Sequence, residues 1–126
     1  MLRREALDAV GVLDETYFMY TEEMDLCYRL RQAGWKLYWV PRARVIHYGE
    51  GSTRQVAETM YVQLYRSKVQ FHRKTGGEGQ AGLFKALLVL AYLPRLLAAA
   101  WCGFFAPAMA ARAHVYRQLL AELHEM

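Results

Sequence analysis

The stretch GVLDETYFMYTEEMDLCYRLRQAGW, residues 11–35, decides how this chain is read, together with VPRARVIHYGEGS, residues 40–52. Within the first, residues 22–33 have the clearest helical pattern. Met24, Cys27, Leu30 and Arg31 share one side, Leu26 widens the apolar stripe, and Gly34 is placed to end it. Asp25 and Arg29 stand four residues apart, so their side chains can meet on the helix surface. Glu22, Glu23 and Asp25 fall where loop becomes helix. On spacing alone they are better explained by complementing the helix dipole and capping free N–H groups than by chemistry. His47, at the end of a predicted strand, reads as structural before it reads as a ligand. Tyr17, Phe18, Tyr20, Tyr38 and Trp39 read as core before they read as a sugar platform.

Outward from this block the elements are simpler. Leu2, Ala6 and Val10 predict a short helix over 2–10, stopped at Gly11, and 12–20 reads as a loop with a short aromatic strand. Lys36–Val40, closed by Pro41, and Ala43–His47 read as two short strands. Residues 54–74 read as a helix with Val56, Met60, Leu64, Val69 and Phe71 apolar, and Thr75–Gly82 (TGGEGQAG) as a flexible break. From Ala86 to Ala111 the only charge is Arg95, while Pro94, Gly103 and Pro107 interrupt the run. Its unbroken pieces are shorter than the ~20 residues of a spanning helix. The 26 residues together reach that length, at a cost of about 3 kcal/mol for Arg95. A span, a kinked hairpin in the membrane interface and a protein-packing surface all remain open.

The chain has 126 residues, 55% of them hydrophobic and 22% charged, which fits one folded domain and excludes a disordered tail. Charge is uneven. Residues 1–35 hold four Arg against seven Asp or Glu, and residues 36–126 hold twelve Lys or Arg against five Glu. No basic run is dense enough to favour nucleic acid as a partner. Arg66, Lys68, Arg73 and Lys74 precede the apolar run, a placement that suits the cytoplasmic side of a membrane and anionic lipid. Cys27 and Cys102 lie far apart among apolar neighbours and read as reduced, buried thiols. The opening MLRREALDAVG has no apolar core of a secretory signal.

The decisive block resembles the second half of the catalytic domain of family 2 glycosyltransferases, nearest their bacterial rhamnosyltransferase-like branch. That family reads approximately G-G-F-D-E-x-F-F-x-Y-x-E-D-x-D-L-C-x-R-x-x-x-x-G, then a strand ending in Pro, then I-H-x-x-x-x-S. Gly11, Asp14 and Glu15 match its opening, and Phe18 and Tyr20 its aromatic pair. Glu22, Asp25, Leu26, Cys27 and Arg29 match the acidic helix, Gly34 and Pro41 the punctuation, and His47 and Ser52 the end. The match is close over residues 1–52 and loose through Arg66–Gly76.

The resemblance implies an α/β GT-A fold, of which these residues are the acceptor half, mostly helical, over 1–76, followed by a hydrophobic, membrane-proximal helical tail over 83–126. It implies sugar transfer with inversion, rhamnose being one candidate sugar, from a nucleotide-sugar donor to a cell-surface polysaccharide or lipid-linked glycan. The enzyme would be peripheral or anchored at the cytoplasmic face of a bacterial inner membrane. Glu23 occupies the general-base position, where the family usually has Asp. Glu22 and Asp25 fall to the acceptor pocket, although Asp25 with Arg29 better suits holding the helix and its loop in place. His47 matches a histidine that ligates the Mg²⁺ or Mn²⁺ of relatives. The donor-binding D-x-D motif is missing from these residues, so the chain alone is expected to be an inactive fragment. A non-catalytic membrane-associated adaptor or packing module is the alternative.

Overall fold

A computed structural model describes residues 1–46, 57–103 and 106–126. The chain divides into two compact units, Met1–Gln55 and Val56–Met126. Among the described residues the structure is mostly helical and has no strand.

In the first unit, α1 (Arg4–Val10) packs on α2 (Glu22–Gln32). Ala6, Leu26 and Leu30 form a small core, flanked by Leu7, Val10 and Trp35. Gly11 stops α1 as expected: its φ of 80° turns the chain out, and its amide still reaches the Leu7 carbonyl at 2.7 Å. The end of α2 is a Schellman turn. The Trp35 amide donates to the Leu30 carbonyl at 2.9 Å and the Gly34 amide to the Arg31 carbonyl at 3.0 Å. Gly34 sits at φ 83°, which an L side chain resists, and Trp35 closes the motif by packing beside Leu30.

Three expectations for this unit are corrected. The buried side of α2 is Asp25, Leu26 and Leu30, while Met24 and Cys27 face outward, so the predicted stripe is rotated. Cys27 is an exposed thiol, as is Cys102 in the second unit, because neither side chain points into a core. Lys36–Val40 and the described part of Ala43–His47 form no strand and are irregular. A strand is fixed by lateral hydrogen bonds to a neighbour. Without one, Leu37, Tyr38, Trp39, Val40, Val45 and Ile46 stay exposed. Residues 12–20 likewise hold turns in place of a strand. Of the five aromatics expected in a core, Tyr17 is buried, Tyr20 half-buried, and Phe18, Tyr38 and Trp39 exposed.

The second unit is built from α3 (Ala57–Gly103) and α4 (Pro107–Glu122). The break predicted over Thr75–Gly82 shrinks to one residue. Gly77, with φ 74° and ψ −174°, reverses α3 on itself, and helix continues on either side. Arg73 pairs with Glu78 across the turn at 2.5 Å, and Gln80 meets His72 at 3.1 Å. One glycine therefore does what eight residues were expected to do.

The two arms of α3 and the face of α4 bury Val62, Val69, Ala81, Leu88, Leu119, Leu123 and Met126. Tyr61, Tyr65 and Tyr92 meet edge to face with their hydroxyls hydrogen-bonded, and the Tyr116 ring of α4 lies tilted against Tyr92 at 5.4 Å. Arg66 ties the first arm to α4 through Glu122 at 2.8 Å. The apolar run from Ala86 is split between the second arm, which ends at Gly103, and α4, which Pro107 begins. At that crossing the backbones come close: a Cβ on Gly103 would stand 3.2 Å from the Ala110 Cα.

Candidate functional site

The acidic start of α2 is set by the backbone before it. Tyr20 and Thr21 both have positive φ, 67° and 75°. Neither a β-branched nor an aromatic residue adopts this region freely, and each such residue costs of order 1–3 kcal/mol. Thr21 is nevertheless the N-cap, and its carbonyl accepts the first helical bond from the Asp25 amide at 2.9 Å. Just upstream, the Asp14 carboxylate accepts from the Thr16 amide at 2.9 Å and folds the loop under the buried Tyr17. The turn thus delivers Glu22, Glu23 and Asp25 into the first turn of α2, where the helix dipole favours negative charge.

Burial separates the three carboxylates. Glu23 is exposed, Glu22 is half-buried, and Asp25 is 0% exposed. The Oε2 atom of Glu22 is buried and has no hydrogen-bond partner among the described residues. Asp25 is held by Arg29, whose Nε donates to Oδ2 at 2.7 Å, the contact that their spacing predicts. The same guanidinium does more than spacing revealed. Its Nη1 donates to the Val10 carbonyl and its Nη2 to the Val12 carbonyl at 2.7 Å. Arg29 therefore fastens α2 to the chain leaving α1, on either side of Gly11. Asp25 is thereby part of the contact that holds α2 to the loop before it. Only the Asp25–Arg29 half of the clamp was visible in sequence, because backbone carbonyls at sequence separations of 17 and 19 leave no residue-type signal.

His47 and Ser52 lie outside the described residues. Among the described residues no three His, Cys, Asp or Glu side chains come together as a cation site.

A cleft of about 850 Å³ runs along the other side of the first unit, between α1, the Cys27–Leu30 side of α2 and the segment from Trp35. Its lining is largely apolar and includes none of the three carboxylates.

The family model described as Glycosyl transferase family group 2 matches residues 1–123. Over 53 residues the chain is 49% identical to an N-acetylglucosaminyl-diphospho-decaprenol L-rhamnosyltransferase of Mycobacterium tuberculosis (strain CDC 1551 / Oshkosh), covering 42% of this chain and 17% of the relative. The same values hold for the protein of that name in strain ATCC 25618 / H37Rv. Over 45 residues it is 47% identical to rhamnosyltransferase WbbL of Escherichia coli (strain K12), covering 36% of this chain and 17% of the relative. The chain thus spans about a sixth of the length of these relatives. No solved structure matches it significantly.

Proposed function

Because the chain belongs to glycosyl transferase family group 2, we propose that it supplies the acceptor side of an inverting sugar transfer, with Glu23 as general base. The donor is a nucleotide-sugar, with rhamnose as the sugar its curated relatives suggest. The acceptor is a lipid-linked or cell-surface glycan. Glu23 takes the proton of an acceptor hydroxyl. That oxygen then bonds to the anomeric carbon from the face opposite the nucleotide diphosphate, whose bond to the sugar breaks. The observation that carries this reading is the exposure of Glu23 at a helix start fixed by two left-handed residues and the Arg29 clamp. A base must reach the hydroxyl to within hydrogen-bond distance, and a displacement of ~1 Å costs on the order of a hundredfold in rate. Glu22, half-buried beside Glu23 in the first turn of α2, is assigned to the acceptor. Mg²⁺ or Mn²⁺, with His47 as one candidate ligand, would offset charge on the departing diphosphate.

The proposal places the enzyme at the cytoplasmic face of a membrane, through residues 83–126. Support comes from α3, which is long and apolar enough to cross a bilayer by length and composition, with 11% of its apolar window buried. A core helix of a soluble protein would be mostly covered. Leu83, Leu87, Leu90, Leu97 and Trp101 instead form an exposed stripe beside the basic arm that carries Arg66, Lys68, Arg73 and Lys74.

The test is sugar transfer by an enzyme reconstituted from this chain and a donor-binding half. Glu23→Gln should lower turnover by roughly 10²–10⁴-fold with donor affinity nearly unchanged. Near-normal turnover would remove Glu23 from the base role.

A further inference from the structure

The second arm of α3, residues 78–103, has two unlike sides. One buries Ala81, Leu88 and Ala99. The opposite one carries Leu83, Leu87, Leu90, Leu97 and Trp101, each at least 53% exposed. Spacings of four, three, seven and four residues keep these five in one line, about 27 Å long. The two cations of the arm stay off that line. Lys85 and Arg95 share the register of Leu88 and Tyr92, at the edge of the core. Arg95 is folded back on its own helix. Its Nη1 donates to the Ala91 carbonyl at 2.6 Å, and the guanidinium lies over the Tyr92 ring at 5.5 Å. A continuous apolar face left this exposed marks an interaction surface.

Charge selects what covers it. From Gly79 to Ala121 there is no Asp or Glu, while Lys85, Arg95, Arg112 and Arg117 are cationic. A second copy would set these cations against their own kind, whereas an anionic bilayer surface complements them. The neighbours of the arm decide how it enters. Tyr61 and Tyr65 of the first arm meet Tyr92 near its midpoint. Within about one turn of them stand Lys68, over the Tyr65 ring, and Arg66, paired with Glu122 of α4 at 2.8 Å. A second arm that crossed the bilayer would carry these charges into hydrocarbon beside it, at high cost. An arm lying flat immerses its one uncharged side and leaves them in water. We propose that the second arm of α3 lies in the plane of an anionic membrane surface, sunk on its leucine side without spanning it. The proposal rests on the membrane attachment read above and gives it a geometry.

The experiment measures spin-label depth on the full chain bound to vesicles of phosphatidylglycerol and phosphatidylcholine. Cys27→Ser and Cys102→Ser remove the native thiols, both exposed. Labels are then attached singly through Leu83→Cys, Leu90→Cys, Leu97→Cys and Trp101→Cys. Arg112→Cys, in a recess between the first arm and α4, is the water reference. Circular dichroism checks that each variant keeps its helices. The four labels of the leucine side should sit at one common depth, roughly 5–10 Å below the headgroups, and the label at 112 should stay in water. Vesicles of phosphatidylcholine alone should bind at least about tenfold more weakly, the worth of one or two cations at an anionic surface. Labels at 83 and 101 near opposite surfaces, with 90 deepest, would overturn the proposal and leave membrane attachment standing. Equal binding to neutral vesicles would overturn the anionic partner. Absence of binding to either vesicle would overturn both the proposal and the attachment, and a mass of two chains in that case would assign the face to a second copy.

Discussion

Replacing Arg29 with Met tests the part of the first unit on which the position of Glu23 depends. The wild-type guanidinium satisfies one carboxylate oxygen and two backbone carbonyls from three different places in the chain. Met keeps much of the stem and removes every donor. The Asp25 side chain is 0% exposed and that of Arg29 is 23% exposed. Removing one partner of a buried pair costs about 3–5 kcal/mol, because the remaining charge is left without compensation. Water has some access from the Arg29 side, so the lower end applies, about 3 kcal/mol. Few apolar side chains are buried in this unit to absorb such a loss. The assay is amide hydrogen exchange by mass spectrometry, with peptides from α2 reporting and peptides from α4 as the internal reference. A loss of that size speeds exchange through opening by roughly a hundredfold in α2 and leaves α4 unchanged. Arg29→Lys should fall between, since it keeps the charge and loses the fork. The double change Asp25→Leu with Arg29→Met should recover part of the loss. Exchange in α2 within threefold of wild type in Arg29→Met would refute the clamp.

The other expected outcomes are shorter to state. Gly34→Ala should destabilise α2 by about 1 kcal/mol, because φ 83° must be kept even though the space around it is open; exchange of the Trp35 amide reads it. In the second unit, burial first and then its hydrogen bonds with Tyr92 and Tyr65 push the Tyr61 hydroxyl above its ordinary range. The unfolded chain would therefore lose this proton near pH 10 while the folded unit keeps it, so stability should fall as pH rises above about 10. Tyr61→Phe should flatten that fall in urea melts taken from pH 8 to 11. Leu90→Glu with Leu97→Glu should abolish flotation with anionic vesicles and spare the helix signal, since both side chains are exposed. Unchanged flotation would move the membrane contact elsewhere.

Where the sequence was legible, local chemistry decided the structure. Gly11, Gly34 and the i, i+4 pair of Asp25 and Arg29 each act within a turn or two of themselves, and each does what spacing foretold. Lys36–Val40 was misread because strand propensity describes a residue's fit to a sheet, whereas pairing requires a neighbour that the described residues do not supply. Thr75–Gly82 was misread for the opposite reason. Its composition signals a loop, yet Gly77 alone provides the reversal, and packing of the two arms holds Thr75, Gln80 and Ala81 in helix. The left-handed pair Tyr20–Thr21 was beyond reach, since neither residue type signals positive φ.

The same limit explains why the carboxylates of α2 were equivalent in sequence and are unequal in space. All three sit in the first turn and all three complement the dipole, so neither spacing nor charge ranks them. Rotation of the helix about its axis does. Leu26 and Leu30 turn one side into the core, which carries Asp25 inward to Arg29 and leaves Glu23 outward. A buried carboxylate already bonded to a guanidinium has no path to a sugar hydroxyl unless the clamp opens, and opening it releases Val10 and Val12 as well. An exposed carboxylate on the same rigid turn needs no such opening. In the proposed transfer the two acids therefore divide the task. Asp25 fixes where the turn stands, and the exposed Glu23 reaches from it.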